Sequence, residues 1–564
     1  MQSTLGAHNA LLDQVSDMGI HGWLDRELNQ RPSEGEQYLP LTRKIWQHFR
    51  SRLIERHGEG AINGDGNNPA LPYKWYFHMA WWHHALSGDE HLVRKRVAQA
   101  LSELLVISDQ SVLELDALGM ADYYDLLYTH AFGYYDELLE AVSLHPCMGV
   151  YLSHMNNRKA DPAQHIHPDE NYAREIMQLF TIGLVELDAD GREKQDSQGL
   201  PIPTYDNRDI KELARVFTGI RAASYKHEWT NSFWESSYNG YPVGFSDGVP
   251  KAHKTIPFVD MTRPMQVEEA FHDRGPKRLL KGRIRLPGKQ KGATEIRAVV
   301  RALVAHPNTA PFVARHLIRQ LVTSNPSPDY VAATAAKFGP RGDLKAMVRE
   351  ILTYPLAHPG ENYRKLKSPL LRVTQLLRAF KAHNESGRLW LIGDDIQEAL
   401  GQHPLSAPTV FNFYSPDFVP PGPLENHNLT APEFQLHGDD TAIAYVNTLY
   451  QWFFGEFYPA VSTRISDQEP NVAELDPERL QEITEDRLRL NFSELTALAQ
   501  RPGNHGELVD RVCRLLTGKR RPALKKRILD TVRDYRDRPD WVIQTLLFMV
   551  AVSGDFTVLE GDNG

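Results

Sequence analysis

Residues 165–184 read HIHPDENYAREIMQLFTIGL and contain the clearest structural signal in the chain. Pro168 suits the first position of a helix, and the acidic Asp169 and Glu170 suit its positive end. Apolar residues then recur at three- and four-residue spacing, which is the pattern of an amphipathic helix. The stretch therefore predicts a helix that begins at Pro168 and ends at Gly183.

This helix has two chemically different sides at about 100° per residue. The apolar side carries Tyr172, Ala173, Ile176, Met177, Leu179 and Phe180. The polar side carries Glu170, Asn171, Arg174, Glu175 and Gln178. A polar side most often only faces water. Here, however, it holds two carboxylates, a guanidinium and two amides in place of flexible lysines, and such groups can bind a polar ligand or transfer protons.

The same helical periodicity covers most of the chain. It occurs at 10–28, 75–107, 121–144, 293–303, 310–322, 344–353, 369–382 and 396–401. The polar, turn-forming run at 187–204 predicts a short hairpin. We therefore predict a mainly α, multi-helical protein. Its two helical lobes, 1–220 and 291–564, are separated by an irregular, partly β segment at 221–290.

Charge and cysteine content exclude several classes of protein. The net charge of −9 is spread over the chain without a basic stripe, so nucleic acid is not an expected partner. Cys147 and Cys513 are the only cysteines, which excludes iron–sulfur clusters and Cys-rich zinc sites. Nucleotide-binding glycine motifs are missing, so no nucleotide is expected. A divalent metal, if bound, would need histidines and carboxylates.

The longest apolar run, residues 542–552, is about half the ~20 residues that a membrane-spanning helix needs. No membrane span is therefore predicted. Residues 1–30 lack the basic start, apolar stretch and small-residue cleavage site of a secretory leader. The sequence alone thus gives no sign of export.

A second candidate cluster lies in FHDRGPKRLL, residues 271–280, where His272, Asp273 and Lys277 share a loop containing glycine and proline. A histidine beside an aspartate suits acid–base chemistry or metal ligation. The alternative is a surface turn with an incidental histidine. If this loop met the polar side of the helix in one cleft, an anionic or sugar-like substrate would fit the combined charges.

A third candidate, KWYFHMAWWHHAL at residues 74–86, crowds large aromatic side chains into one short helix. Aromatic rings can stack on sugars, but rings at helical spacing are usually buried. We predict that this segment packs in the core.

Several segments resemble one family when taken together. These are PDENYAREIMQLFTIGL (168–184), AFGYYDELLEAVSLHPCMGVYLSHMNN (131–157), TLGAHNALLDQVSDMGIHGWLDREL (4–28), VRKRVAQALSELLVIS (93–108), YDNRDIKELARVFTGI (205–220), FHDRGPKRLL, HPNTAPFVARHLIRQLVTSNPSP (306–328), RGDLKAMVREIL (341–352) and APTVFNFYSPDF (407–418). They run in order across nearly the whole chain. The chain thus resembles the bacterial domain of unknown function 1800 family.

The resemblance implies a mostly helical protein that forms one continuous family domain and has no established reaction. Members are commonly periplasmic or secreted, and are often encoded beside a sulfatase-like protein of the domain of unknown function 1501 family. This sequence begins almost directly at the family domain, so we expect that a leader was removed or that export is not used. The positions most like the family motifs are Glu170, Asn171, Arg174, Glu175, Asp209, Arg215, His272, Asp273 and Lys277.

Our leading hypothesis is a hydrolase or lyase that acts on a polar or anionic, saccharide-like substrate. Its candidate catalytic residues are Glu175, Glu170, His272 and Asp273, and its candidate substrate-binding residues are Asn157, Asn171, Arg174, Gln178, Asp209, Arg215 and Lys277. One alternative is a non-catalytic accessory protein that binds the sulfatase-like partner and uses the Glu/Arg helix as a buried structural network. Another is a metal-binding protein with ligands among His165, His167, Glu170 and His272. The sequence leaves open whether the protein is an enzyme.

Overall fold

The computed structural model describes residues 3–57, 72–110, 112–223, 225–226, 245–246, 249–250, 258–358, 364–390, 400–454, 481, 485–486, 488–501 and 503–559. Most regular structure in these ranges is helical, and the strands form only two-stranded sheets. The prediction of a mainly α fold is therefore confirmed. No helix of the described ranges has the length and apolar character needed to cross a membrane.

Ten helices lie in the described part of residues 3–223. They are α1 (Asn9–Met18), α2 (Ile20–Asn29), α3 (Tyr38–His57), α4 (Lys74–Leu86), α5 (Leu92–Ser102), α6 (Ala117–His130), α7 (Tyr135–Ser143), α8 (Pro146–Tyr151), α9 (Asn171–Gln178) and α10 (Asn207–Val216). The predicted helix at 10–28 is divided at Gly19, whose φ of 75° is a left-handed conformation that glycine adopts at little cost. The predicted helix at 75–107 is divided between α4 and α5.

Eleven further helices lie in the described part of residues 258–559. They are α11 (Gly292–Val304), α12 (Thr309–Leu321), α13 (Pro328–Ala335), α14 (Leu344–Ala357), α15 (Pro369–Ala379), α16 (Asp439–Phe454), α17 (Ser493–Ala499), α18 (His505–Thr517), α19 (Pro522–Thr531), α20 (Pro539–Ala551) and α21 (Gly554–Thr557). The predicted helix at 396–401 lies almost wholly outside the described residues.

The strands are short and antiparallel. They are β1 (Ile220–Arg221), β2 (Tyr225–Lys226), β3 (Phe245–Ser246), β4 (Val249–Pro250), β5 (Phe258–Val259), β6 (Gln266–Val267), β7 (Lys277–Leu279), β8 (Ile284–Leu286), β9 (Lys365–Leu366) and β10 (Val558–Leu559). The pairs are β1–β6, β2–β5, β3–β4, β7–β8 and β9–β10. Part of the segment predicted to be irregular and partly β, 221–290, lies outside the described residues. At 185–203, isolated bridges form where the hairpin was predicted.

One hydrophobic cluster includes buried side chains from Leu5 to Phe556. Almost every residue of α4 is buried, including Trp81 and Trp82, so the prediction that this aromatic segment packs in the core is confirmed. The division of the chain into two lobes and a middle segment stays a prediction.

Helix α9 is shorter than the sequence pattern predicts. Local hydrogen bonds hold the residues before and after the helix in non-helical conformations. Before the helix, Oδ1 of Asp169 accepts a hydrogen bond from the N–H of Asn171 at 2.7 Å, and Pro168 lies outside the helix. After the helix, the N–H of Gly183 donates to the carbonyl of Met177 at 2.9 Å. The prediction of a helix from residue 168 to 183 was therefore wrong at both ends.

Candidate functional site

Glu175 is the most unusual residue of α9. Its side chain is buried, with only 7% of the residue exposed, and its Oε2 has no hydrogen-bond partner among the described residues. Burial raises the pKa of this carboxyl, and the charge of the neighbouring Arg174 only partly opposes the shift. Glu175 is thus a carboxyl group that the protein holds toward its neutral, proton-bearing form.

Two tyrosines lie within electrostatic range of Glu175. Burial, and then the charge of Glu175, raise the pKa of Tyr151 to about 12. Burial also raises the pKa of Tyr205, an effect that Arg174 opposes and Glu175 reinforces. The Tyr205 hydroxyl donates to Oε1 of Gln178 at 3.4 Å, which joins the end of α9 to the chain before α10. Both phenols therefore stay protonated near neutral pH and can act as hydrogen-bond donors.

The remaining polar residues of α9 form an open rim. Nη2 of Arg174 lies 3.8 Å from Oε2 of Glu170, and these side chains are 42% and 37% exposed. Asn171 is exposed, and its Nδ2 donates to Oγ of Ser153 at 3.4 Å. The exposure of Glu170 and Arg174 disagrees with the alternative in which the Glu/Arg helix is a buried structural network. The reason is that the helix turns these side chains away from its packed apolar side.

The side chain of Asn157 forms hydrogen bonds with the backbone directly before α9 and with the backbone after α10. Its Oδ1 accepts a hydrogen bond from the N–H of Asp169 at 2.8 Å, and its Nδ2 donates to the carbonyl of Phe217 at 3.1 Å. Both ends of the buried amide are therefore used to hold two chain segments together. The contacts of Asn157 are those of a positioning residue.

The second predicted cluster forms a buried ionic network around a residue that sequence analysis missed, Glu295. Nζ of Lys277 donates to Oε2 of Glu295 at 2.5 Å and to the carbonyl of Asp273 at 2.5 Å. Nε2 of His272 lies 3.4 Å from the same carboxylate, and its Nδ1 lies 2.9 Å from the carbonyl of Thr218. His272, Lys277 and Glu295 are all nearly inaccessible to solvent.

Asp273 forms a bidentate ion pair with Arg215. Its two carboxylate oxygens accept hydrogen bonds from Nε and Nη2 of Arg215 at 2.9 and 3.1 Å. Burial would raise the pKa of Asp273, but the Arg215 hydrogen bonds and that of the Gly275 N–H lower it below its ordinary value. Nη1 of Arg215 also donates to Oε1 of Glu212 at 2.8 Å. The contacts favour a fixed ion pair over a proton donor.

Asp209 also makes structural contacts. Its Oδ2 accepts a hydrogen bond from the N–H of Asp206, which completes the cap of α10. Its Oδ1 accepts a hydrogen bond from the N–H of Leu280 at 2.6 Å. Asp209 therefore fixes α10 to the end of β7.

The two predicted clusters do not share a hydrogen bond or ion pair within the described ranges. Helix α10 contacts both α9 and β7, so it connects the two groups through the backbone. The residues of the second cluster direct their polar atoms at one another and at Glu295. A single cleft that combines both clusters stays a prediction.

The described residues include no group of three or more His, Cys, Asp or Glu side chains placed to hold a metal ion. His165 and His167 are exposed, whereas His272 is buried against Glu295. The metal-binding alternative, with His165, His167, Glu170 and His272 as ligands, stays a prediction.

The polar helix and the buried network are both formed by segments whose motifs resemble one family. No curated protein and no solved structure shows significant similarity to the chain. A family model described as a protein of unknown function, DUF1800, matches residues 1–558. Since this match covers nearly the whole sequence, the chain belongs to the DUF1800 family.

Proposed function

We propose that the protein is an acid–base enzyme, of hydrolase or lyase type, that acts on a polar or anionic, saccharide-like substrate at the polar side of α9. One observation carries the proposal: Glu175 is buried, and its Oε2 has no hydrogen-bond partner in the described part of the chain. Burying an unpaired carboxyl group costs free energy, and groups of this kind are concentrated at functional sites.

The residues around Glu175 suit a substrate that carries negative charge. The carboxyl of Glu175, whose raised pKa favours the protonated form, is the proton donor. Arg174 and Asn171 present exposed N–H groups that can bind anionic or hydroxyl oxygens. Glu170, on the same rim, is the second carboxyl group and accepts the substrate proton.

The placement of Glu175 on α9 and of Glu170 directly before it favours elimination over two-sided displacement. In an elimination, one group removes a proton from carbon, the bond from the neighbouring carbon to the leaving oxygen breaks, and that oxygen takes a proton from the acid. Both transfers can occur on one side of the sugar ring. A displacement would need carboxyl groups on opposite sides of the bond.

In this proposal the second cluster positions the site. His272, Lys277 and the Asp273–Arg215 pair make their hydrogen bonds inside the protein. Asp209 and Asn157 join α10 and the chain before α9 to neighbouring segments. We assign these residues to holding α9 and α10 in place.

The test is turnover by wild type and Glu175→Gln on a panel of sulfated and carboxylated polysaccharides. Formation of unsaturated sugar ends, seen by ultraviolet absorbance, reports elimination, and new reducing ends report any cleavage. We expect wild type to be active and Glu175→Gln to lose roughly 100-fold or more in rate, the usual value of a general acid or base. Equal rates in the two proteins contradict the proposal.

The second candidate function is a non-catalytic accessory role beside a sulfatase-like protein of the domain of unknown function 1501 family. The internal pairing of His272, Asp273 and Lys277 favours it, because these residues have the contacts of a structural network. In both proposals the protein is exported to the periplasm or the outside of the cell. This part of each proposal rests on the family resemblance. Co-purification with the partner protein tests the accessory role. Fractionation of cells that produce the native gene product tests export.

A further inference from the structure

Arg372 of α15 is a buried cation with an unused hydrogen-bonding group. Only 1% of the residue is exposed. Its Nε donates to the carbonyl of Lys367 at 2.8 Å, and its Nη1 lies 3.5 Å from Nδ1 of His437. Its Nη2 has no hydrogen-bond partner among the described residues. The guanidinium therefore keeps a free donor inside the protein.

Lys367 places a buried amine close enough to Arg372 for their charges to interact. It is 3% exposed, its Nζ donates to Oε1 of Gln375 at 2.7 Å, and the amine lies 3.9 Å from the centre of the Phe556 ring. No carboxylate forms an ion pair with Lys367 in the part of the chain that is described. Burial, and then the charge of Arg372, lower the pKa of this amine well below its ordinary value.

The nearby carboxylate of Glu433 has another partner. Glu433 is buried and forms an ion pair with Lys365. Glu433 affects Arg372 only through its charge and not through a hydrogen bond. Burial lowers the pKa of the Arg372 guanidinium, and the charges of Tyr445 and Glu433 oppose that shift. Within the described residues, Lys367 and Arg372 thus lack a directly bound anion. Buried charges without a counter-ion cost free energy, so the arrangement favours an anion from solution.

His437 connects the buried guanidinium to a less buried part of the chain. It is half-buried, and the residues directly after it are exposed. Asp439 and Asp440 begin α16 there, but their exposed charges are screened by water and salt. Arg372 thus contacts a side chain that is partly open to solvent.

We propose that Arg372, Lys367 and His437 form a binding site for a phosphate or sulfate group. Nη2 of Arg372, the donor that is left unused, gives one charge-assisted hydrogen bond to an oxygen of the anion. An anion bound there favours the protonated form of the nearby Lys367 amine, and the half-buried His437 borders the site. The site uses no residue of α9, so it stands or falls independently of the function proposed for Glu175.

Equilibrium binding of inorganic sulfate and inorganic phosphate tests the site. Calorimetric titrations are run in sodium chloride adjusted to constant ionic strength, so that screening is the same in every sample. We expect saturable binding of one anion per chain to wild type. Arg372→Gln should weaken it about tenfold or more, as loss of a charge-assisted hydrogen bond does.

The matched control is Arg315→Gln, which removes an arginine that pairs with Asp417 at a different, more exposed position. It should bind as wild type does. If Arg372→Gln does not fold, Lys367→Met tests the same site and should also weaken binding. Far-ultraviolet circular dichroism checks the fold of each variant.

A third titrant, glucose 6-sulfate, distinguishes a free anion from a group carried on a larger ligand. Binding of the ester in competition with sulfate assigns the site to a sulfate group on a sugar, and binding of the inorganic anions alone assigns it to a free ion. Either result supports the site. Absence of saturable binding to wild type, or equal binding to wild type and a folded Arg372→Gln protein, overturns it.

Discussion

Arg174 and Glu175 are adjacent in α9 yet face different surroundings. The Arg174 side chain is 42% exposed, whereas Glu175 is only 7% exposed. Successive helical residues point about 100° apart, so one faces the rim and the other the packed edge of the helix. A buried acid and an exposed cation are therefore consecutive residues of one helix.

Glu175 should make the protein less stable as pH rises above about 4.5. Its folded pKa is raised above the ordinary 4.5, so the unfolded chain loses this proton first and unfolding becomes easier as pH rises toward the folded value. Glu175→Gln keeps the shape without the charge and should gain about 1 kcal/mol at pH 7, as relief of an unpaired buried group does. Urea unfolding of wild type and Glu175→Gln at several pH values measures the difference in unfolding free energy. A loss of stability in Glu175→Gln at pH 7 would mean that the carboxylate has a stabilising partner.

His154 should produce the opposite dependence on pH. It stacks on Tyr172 of α9 at 3.9 Å between ring centres, and burial lowers its pKa from 6.5 to about 4. The unfolded chain binds a proton at higher pH than the folded protein does, so stability is lost as pH falls from 6.5 to about 4. The maximum loss is about 3 kcal/mol for a shift of this size.

The measurement is the difference in unfolding free energy between wild type and His154→Gln across that range. Other buried histidines contribute equally to both proteins, so their effects cancel in the difference. The variant should lose less stability on acidification than wild type. Parallel curves for the two proteins would show that His154 does not titrate as the structure implies.

The network around Glu295 should be far more important for stability than the rim of α9. Glu295→Gln leaves the buried Lys277 without its carboxylate, and breaking a buried ion pair in this way costs about 3–5 kcal/mol. Arg174→Ala, which removes an exposed ion pair, should cost at most about 1 kcal/mol. Chemical unfolding of both variants gives the comparison. Similar losses in the two variants would argue against this division of roles.

Sequence periodicity was a good guide to the helices but not to the burial of individual polar residues. It placed Glu175 on the polar side of α9 together with Arg174. However, Glu175 lies at the boundary beside Tyr172 and Leu179, where neighbouring segments decide whether a side chain is covered. Tyr205, about 30 residues later in the chain, comes near Glu175 only through the fold. No local pattern contains that information.

The second cluster shows the same limit. His272, Asp273 and Lys277 were visible as a motif, but their main partner, Glu295, occupies the first turn of α11, where an acidic residue is ordinary. Lys277 and Glu295 meet because α11 contacts β8, the strand that pairs with β7. The sequence therefore singled out the motif residues but did not predict that Lys277 and His272 contact Glu295.

The most direct test of the account compares the rates of wild type, Glu175→Gln and Glu170→Gln on the same panel of anionic polysaccharides across a range of pH. We predict that wild type is active where Glu175 is protonated and that Glu175→Gln loses roughly 100-fold or more there, since its amide cannot donate the proton. The difference should narrow as pH rises and the wild-type carboxyl loses its own proton. Glu170→Gln should also be slowed, because it lacks the base. Full activity in a folded Glu175→Gln protein would contradict the assignment of Glu175 as the acid.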